Sequence, residues 1–192
     1  MKFADRTWIL ATIFCLMSIS PAYAGMTPGE VKFFEDCKAG AEKGSSWEQY
    51  RLGGCYFVGL GVAKDYVQAI SWYRKSAEQG FAKAQYELGE CLAKGIGLAK
   101  DDVQAVSWYR KAAESELAEA QSSLGFCYYF GKGVAKNEIE AYAYWSLAGT
   151  TDGDARKSLA ILEKKMSADA CLLGQQRTIE LRKEIEMKKA GK

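Results

Sequence analysis

The chain contains no histidine. Ser-His and Cys-His nucleophile pairs are therefore excluded, and the commonest metal ligand is missing. No serine beyond residue 24 has lysine three positions on. Ser71 and Ser107 come nearest, followed by Arg74 and Arg110, and a guanidinium does not give up its proton to act as a base. A surplus of charge is also lacking. The formal net charge of +2 is too small for nucleic acid or an anionic membrane to be the main partner. The locally basic end (Arg182, Lys183, Lys188, Lys189 and Lys192) reads as cations at a helix C-terminus, where the macrodipole favours them. Adjacent carboxylates such as Asp101 and Asp102 read as a helix cap and a helix start rather than an acid–base pair. The Gly-x-Gly stretches have neither a preceding strand nor the Gly-Lys-Ser/Thr of a phosphate cradle. No catalytic residue, metal or cofactor is expected.

Nor is there a long apolar run. Trp8 to Ile19 is shorter than the roughly 20 residues a spanning helix needs. It follows Lys2 and Arg6 and precedes Pro21 and Ala22-Tyr23-Ala24, the order of a secretory signal with a small-x-small cleavage site. Cleavage after Ala24 is expected, leaving a nearly neutral chain that starts at Gly25; a retained anchor is the alternative. No cysteine stands directly after the cleavage site, where Gly25 lies, so lipid attachment is not indicated. The expected location is periplasmic or secreted, with no membrane insertion after cleavage.

What is abundant is repetition. Gly53-x5-Gly59-x-Gly61-Val62-Ala63-Lys64-Asp65 recurs from Gly89 to Asp101 and from Gly125 to Asn137, at a spacing of 36 both times. Ala63–Gln79 and Ala99–Ser115 agree at 13 of 17 positions. The third copy drifts: it keeps Ala141 and Trp145, with the tryptophan displaced by one. A fixed period of this size is the signature of stacked supersecondary units. Each copy reads as a helix pair. Helix A covers about 46–58, 82–94 and 118–130, and ends on Gly59, Gly95 and Gly131, which adopt positive φ freely. Helix B covers about 66–79, 102–115 and 138–148. It opens on Asp65-x-x-Gln68, Asp101-x-x-Gln104 and Asn137-x-x-Glu140, the pattern of a capping box. Val62, Leu98 and Val134 fall between the helices as plugs.

The ends read as caps. Thr27-Pro28-Gly29-Glu30 combines a capping box with proline at the first helical position. It opens a lone helix, about 28–43, in register with a helix B. Two more helices are expected at about 154–166 and 168–188. A solenoid needs such polar ends because each unit buries its apolar side only against neighbours. The division is therefore signal peptide 1–24, N-terminal capping helix 25–45, repeats 46–80, 81–116 and 117–150, and C-terminal capping helices 151–192. The fold class is all-α, an α/α superhelical solenoid.

The residues Leu52-Gly53, Tyr56, Gly59, Gly61, Val62, Asp65, Ala69, Trp72, Tyr73 and Ala77, with their copies one period on, resemble the Sel1-like repeat, a relative of the tetratricopeptide repeat. The resemblance covers about 46–148. It implies a right-handed superhelix with a concave protein-binding surface, and an envelope scaffold or regulator as the function. A neutraliser of a secreted lipase-type effector is an alternative. A β-lactam-binding or hydrolysing relative is a third reading, against which stand the missing histidine and the missing Ser-x-x-Lys. The partner implied is another protein of unknown identity, bound by a monomer.

Five cysteines follow the signal: Cys37, Cys55, Cys91, Cys127 and Cys171. Cys55, Cys91 and Cys127 share one position in the repeat. Packed helix axes lie about 8–10 Å apart while a disulfide wants Cα atoms within about 7 Å, so these three are not expected to pair with one another. Cys37 and Cys55, on consecutive antiparallel helices at similar distances from the Gly44-Ser45 turn, are the candidate bridge; Cys127–Cys171 is a weaker one. Some exported relatives bridge cysteines eight apart, a spacing this chain does not contain.

Comparison among the copies separates framework from surface. The constant positions read as structural core: Leu52, Gly53, Trp72, Tyr73, Leu88, Gly89, Trp108, Tyr109, Leu124, Gly125 and, in the third copy, Trp145. The varying positions of helix A are free to carry recognition. The resemblance puts helix A on the concave side, and the expected partner-binding set is Tyr50, Arg51, Phe57, Tyr86, Glu87, Glu90, Phe126 and Tyr129. Tyrosine and arginine are favoured at interface hot spots, although some of these rings are also expected to pack on the next helix.

Overall fold

A computed structural model describes residues 25–191; the expected signal sequence and Lys192 lie outside them. Among the described residues there are nine α-helices and no strand: α1 (Pro28–Glu42), α2 (Ser46–Val58), α3 (Tyr66–Glu78), α4 (Ala82–Lys94), α5 (Asp102–Ala113), α6 (Ala118–Phe130), α7 (Glu138–Ala148), α8 (Gly153–Glu163) and α9 (Ala168–Ala190). The class is all-α, of α/α repeats. The A helices are α2, α4 and α6; the B helices are α3, α5 and α7. Two compact units divide after Lys75, within α3.

Local chemistry sets the boundaries. The A helices stop on Gly59, Gly95 and Gly131, with φ of 82°, 68° and 68°. The B helices start where a side-chain oxygen takes up the first free amides. Asp65 Oδ1 accepts from the Val67 and Gln68 amides at 2.9 and 3.0 Å. Asp101 Oδ1 accepts from Gln104 at 2.9 Å, and Asn137 Oδ1 from Ile139 and Glu140 at 3.0 and 3.2 Å. The full reciprocal box closes at Thr27–Glu30. At the other starts the second arm goes elsewhere: Gln104 Nε2 donates to the Asp101 carboxylate at 2.8 Å, and Glu140 accepts from Arg177 Nε at 2.7 Å.

In the first unit, α1 buries Val31, Phe34, Cys37 and Ala41, one stripe at helical spacing. They pack with Leu52 and Cys55 of α2, and Tyr56, Leu60, Val62 and Trp72 close the edges. Gly61, at φ 68°, lies so close to the Glu30 carbonyl and Phe34 that an added Cβ would overlap them. Tyr73 lies across Gly53, where a Cβ would come within 2.6 Å of its ring.

The same contacts recur in the second unit. Tyr109 lies across Gly89, and Trp145 across Gly125. Trp145 is therefore not a displaced copy of Trp108: it fills the tyrosine slot, one period after Tyr109, and its Nε1 donates to the Ser122 carbonyl at 3.2 Å. Gly133 repeats the approach of Gly61, against the Asp102 carbonyl in the first turn of α5. Trp72 and Trp108 are only half-buried. The ammonium groups of Lys75 and Lys111 lie 3.8 and 3.9 Å from their ring centroids, so these indoles sit at the edge of the core under a cation. A buried glutamine accompanies every A helix. Gln49, Gln85 and Gln121 donate to the carbonyls of Ala41, Ala77 and Ala113 at 3.3, 3.1 and 3.4 Å, giving late carbonyls of the preceding helix a second donor beside the turn amides of Gly44, Gly80 and Glu116.

The C-terminal helix α9 is a tie rather than only a polar lid. Gly174 lets it approach the Tyr142 ring, and Thr178, Leu181 and Ile185 are buried. Arg177 reaches Glu140 at 2.7 Å and Glu184 at 2.8 Å. The basic end, expected only to complement the helix dipole, also pairs with the α5–α6 turn: Lys188 with Glu114 at 2.5 Å and Lys189 with Glu116 at 2.6 Å.

That turn holds a backbone anomaly. Gly44 and Gly80 have φ of 91° and 87°, and one period on Glu116 has φ 59°, a left-handed conformation that costs a side-chain-bearing residue energy. Glu116→Gly is expected to raise stability by about 0.5 kcal/mol, the strain relief being reduced by the entropy of glycine in the unfolded chain and by loss of an exposed ion pair. A higher urea midpoint with unchanged slope checks this.

A candidate protein-docking cleft

The clearest candidate site lies in the second unit, between the A helices α4 and α6. A cleft of about 280 Å³ is lined there by Glu90, Ala93 and Lys94 of α4, Ser123, Phe126 and Cys127 of α6, Tyr109 and Ala105 of α5, and Lys100, Asp102 and Lys132 around its rim. The 36-residue period stacks the two A helices, and the small residues Ala93 and Ser123 leave the gap open.

The chemistry of its walls is mixed. Tyr109 O–H donates to Glu90 Oε1 at 2.6 Å, and Lys94 pairs with the other carboxylate oxygen. Lys100 pairs with Asp102 at 3.1 Å. Tyr86 stacks obliquely on Tyr109, centroids 5.9 Å apart; its phenol is pushed up to about 12, first by burial and then by Glu90. The Cys127 thiol is pushed up to about 11 by burial, so it is an inert wall group and not a nucleophile. Phe126 remains 40% exposed, its ring held edge-on by Trp145 at 5.1 Å and parallel to Phe130 at 6.4 Å.

Glu87 differs from its neighbours. It is half-buried, and among the described residues no hydrogen bond reaches its carboxylate. Burial raises its pKa, and Glu90 and Glu119 raise it further. A carboxyl whose folded pKa lies above its unfolded value favours folding while protonated, and that contribution is lost as pH rises through the folded pKa. Glu87→Gln is therefore expected to raise the thermal midpoint at about pH 7 and to leave it unchanged below about pH 4, where the unfolded glutamate is itself protonated. Midpoints of both proteins across that range check the sign.

The expected partner-binding residues divide between the units. In the second, Glu90 and Phe126 line the cleft, Tyr86 flanks it through its ring contact with Tyr109, and Glu87 stands on α4 one turn before Glu90. Tyr129 does not line it. Its hydroxyl accepts from Lys165 Nζ at 3.1 Å, and its ring packs on Trp145 and the core of α7 and α8. In the first unit Tyr50 lies against Tyr73 at 5.9 Å, and Phe57 against Tyr66 at 5.1 Å. Arg51 is paired with Glu48 at 2.9 Å and lies over the Phe33 ring. Sequence reasoning placed Tyr109 in the core only; its buried ring also carries the hydroxyl that holds Glu90. It passed over Lys100, a constant position read as framework, Asp102, read only as a helix start, and Lys132, in a loop outside the helix A face that was compared.

A second cleft, between α5, α7 and α9, is occupied by its own charges. Arg110 donates to the Tyr128 hydroxyl at 2.8 Å, and Arg177 and Lys188 are paired with Glu140, Glu184 and Glu114. It reads as the seat of α9.

Comparison with known proteins places these features in a group. Residues 49–81, 82–116 and 118–150 match the family model described as Sel1 repeat. Among solved structures, the chain is similar to a Sel1 repeat protein from Oxalobacter formigenes, with 34% identity, a TM-score of 0.66, and 77% of this chain and 63% of that one covered. It thus spans less than two thirds of that protein's length. A protective antigen of uropathogenic Escherichia coli with an SLR fold aligns at 35% identity and a TM-score of 0.49, over 76% of this chain and 39% of that one. Cysteine-rich protein B of Helicobacter pylori shares the fold at 24% identity and a TM-score of 0.53, over 66% of this chain and 96% of that one. Comparison with curated proteins gives no match.

Proposed function

The chain belongs to the Sel1 repeat family, and from that premise we propose that it is a non-catalytic binding protein of the cell envelope that docks a segment of another protein in the α4–α6 cleft, as scaffold or regulator. The observation that carries this reading is the cleft itself: an exposed Phe126 backed by Trp145, in one cleft with the Lys94-paired Glu90. An aromatic anchor held rigid from behind suits a hot spot, since little entropy is lost when a partner covers it. The carboxylates Glu90 and Asp102 are neutralised by Lys94 and Lys100, which suits recognition better than proton transfer. The non-catalytic reading rests on the missing histidine and missing Ser-x-x-Lys. The envelope location rests on the N-terminal pattern of Lys2, Arg6, the apolar run and Ala22-Tyr23-Ala24.

The test is site-specific photocrosslinking. Phe126→p-benzoylphenylalanine in the full chain is expected to trap one protein in the native host, and the same replacement of Leu172, an exposed residue of α9, is not. Equal trapping from both positions, or none from position 126 with the partner still co-purifying, overturns the cleft as the docking site.

A further inference from the structure

We propose that Cys37 and Cys55 close into a disulfide that staples the capping helix α1 to α2. Both side chains are buried, at 0% and 2% exposure, in one apolar cluster. Both are free thiols in this structure, and they face the same apolar cluster from consecutive helices. The helices that carry them are held in register on either side. Gln49 Nε2 bonds the Ala41 carbonyl at 3.3 Å, and Gly40 gives α2 a close approach, with no room for a Cβ beside Glu48. Near the start of α1, Gly61 is seated against the Glu30 carbonyl and Phe34. A disulfide needs both chains close together and held there.

The repeat explains why this pair is special. Cys37 stands one period before Tyr73 and two before Tyr109. Tyr109 lies beside Cys127 of the following A helix, and the same step along the chain takes Cys37 to Cys55. The B-helix tyrosine has a second duty, covering the glycine of the preceding A helix. In α1 the same position carries a thiol, in the cluster that holds the repeat's own cysteine. Cys127, by contrast, faces a phenol, and Cys171 contacts the Glu163 carbonyl.

The chemistry needs an oxidant of the small-molecule disulfide class, such as oxidised glutathione. The Cys55 thiolate attacks one sulfur of that disulfide; its S–S bond breaks, and one glutathione leaves and takes up a proton. The Cys37 thiolate then attacks the Cys55 sulfur of the mixed disulfide and releases the second glutathione. Two protein thiols lose two electrons and two protons, and the oxidant becomes two thiols. Burial raises both thiols, Cys37 up to about 12, so the reaction belongs to folding or to an opened cap rather than to the closed fold.

The full chain is refolded in mixed oxidised and reduced glutathione, its remaining thiols are alkylated in denaturant, and it is cut with trypsin. The expected product is the fragment 33–38 linked to the fragment 52–64. The thermal midpoint is expected to lie roughly 5–10 °C above that of the reduced chain, returning on addition of dithiothreitol. Cys37→Ser is expected to abolish both the link and the shift. Recovery of both fragments alkylated, or Cys55 linked to another cysteine, overturns the proposal; the fragment map of the unsubstituted chain decides the matter even if the variant fails to fold.

Discussion

Gly133→Ala is expected to destabilise the protein by at least about 3 kcal/mol, whereas Gly131→Ala, two residues earlier in the same loop, costs about 1 kcal/mol. Both glycines have φ of 68°, so the left-handed penalty is common to the two. The difference is what a Cβ would meet. At Gly131 the nearest atom is the Lys136 amide nitrogen at 3.4 Å, an ordinary contact. At Gly133 it is the carbonyl of Asp102, with the Val103 amide nitrogen 2.9 Å away. These are backbone atoms in the first turn of α5 and cannot rotate aside. The loop would have to lift from the helix it braces, taking Val134 and the start of α7 with it. Equilibrium urea unfolding of the two variants side by side measures the contrast; similar losses at the two positions would mean that only the backbone conformation matters.

Trp145→Ala is expected to cost about 3–5 kcal/mol, the range for a large buried aromatic. The indole is 2% exposed, lies across Gly125, donates to the Ser122 carbonyl and supports Phe126 and Tyr129. Trp145→Tyr is expected to cost less than about 1.5 kcal/mol, because Tyr73 and Tyr109 do the same work over Gly53 and Gly89 and a near-conservative swap leaves little cavity. Thermal and urea unfolding distinguish the two variants. If Trp145→Tyr is as damaging as Trp145→Ala, the shared tyrosine slot is wrong. Trp145→Ala is also expected to weaken partner binding, since Phe126 then loses its backing.

The parts of this fold legible in the sequence are those that the chain decides locally. A glycine that ends helix A and an acidic or amide side chain that opens helix B act within a few residues, and both recur at the period. That is why the ends of α2, α4 and α6 can be read directly. Trp145 was legible only as a drift, because matching tryptophan to tryptophan follows residue identity, whereas packing over Gly125 follows position. Gln49, Gln85 and Gln121 recur as plainly as the glycines, but a glutamine gives no reason to expect burial until its carbonyl partner on the previous helix is known. The left-handed Glu116 goes against its own residue type and is held by the helices on either side.

The docking set was legible in part for a related reason. Variation among copies marks positions free of framework duty, and it led to Glu87, Glu90 and Phe126. It does not say where a ring turns. Tyr129 varies as freely as they do, yet Lys165 and Trp145 draw it toward the C-terminal helices. Lys188 and Lys189 looked like generic helix-end cations until the fold brought Glu114 and Glu116 beside them. In each case the deciding contact comes from an element distant in sequence.

The central claim is that a partner is held in the cleft between α4 and α6. Its most direct test is the equilibrium affinity of the partner trapped at position 126 for the unsubstituted chain, Phe126→Ser and Leu172→Ser, compared at matched thermal stability. Docking in this cleft predicts a loss of at least about tenfold for Phe126→Ser and less than about twofold for Leu172→Ser, as for a surface residue outside the interface. Equal affinity for all three chains would contradict it.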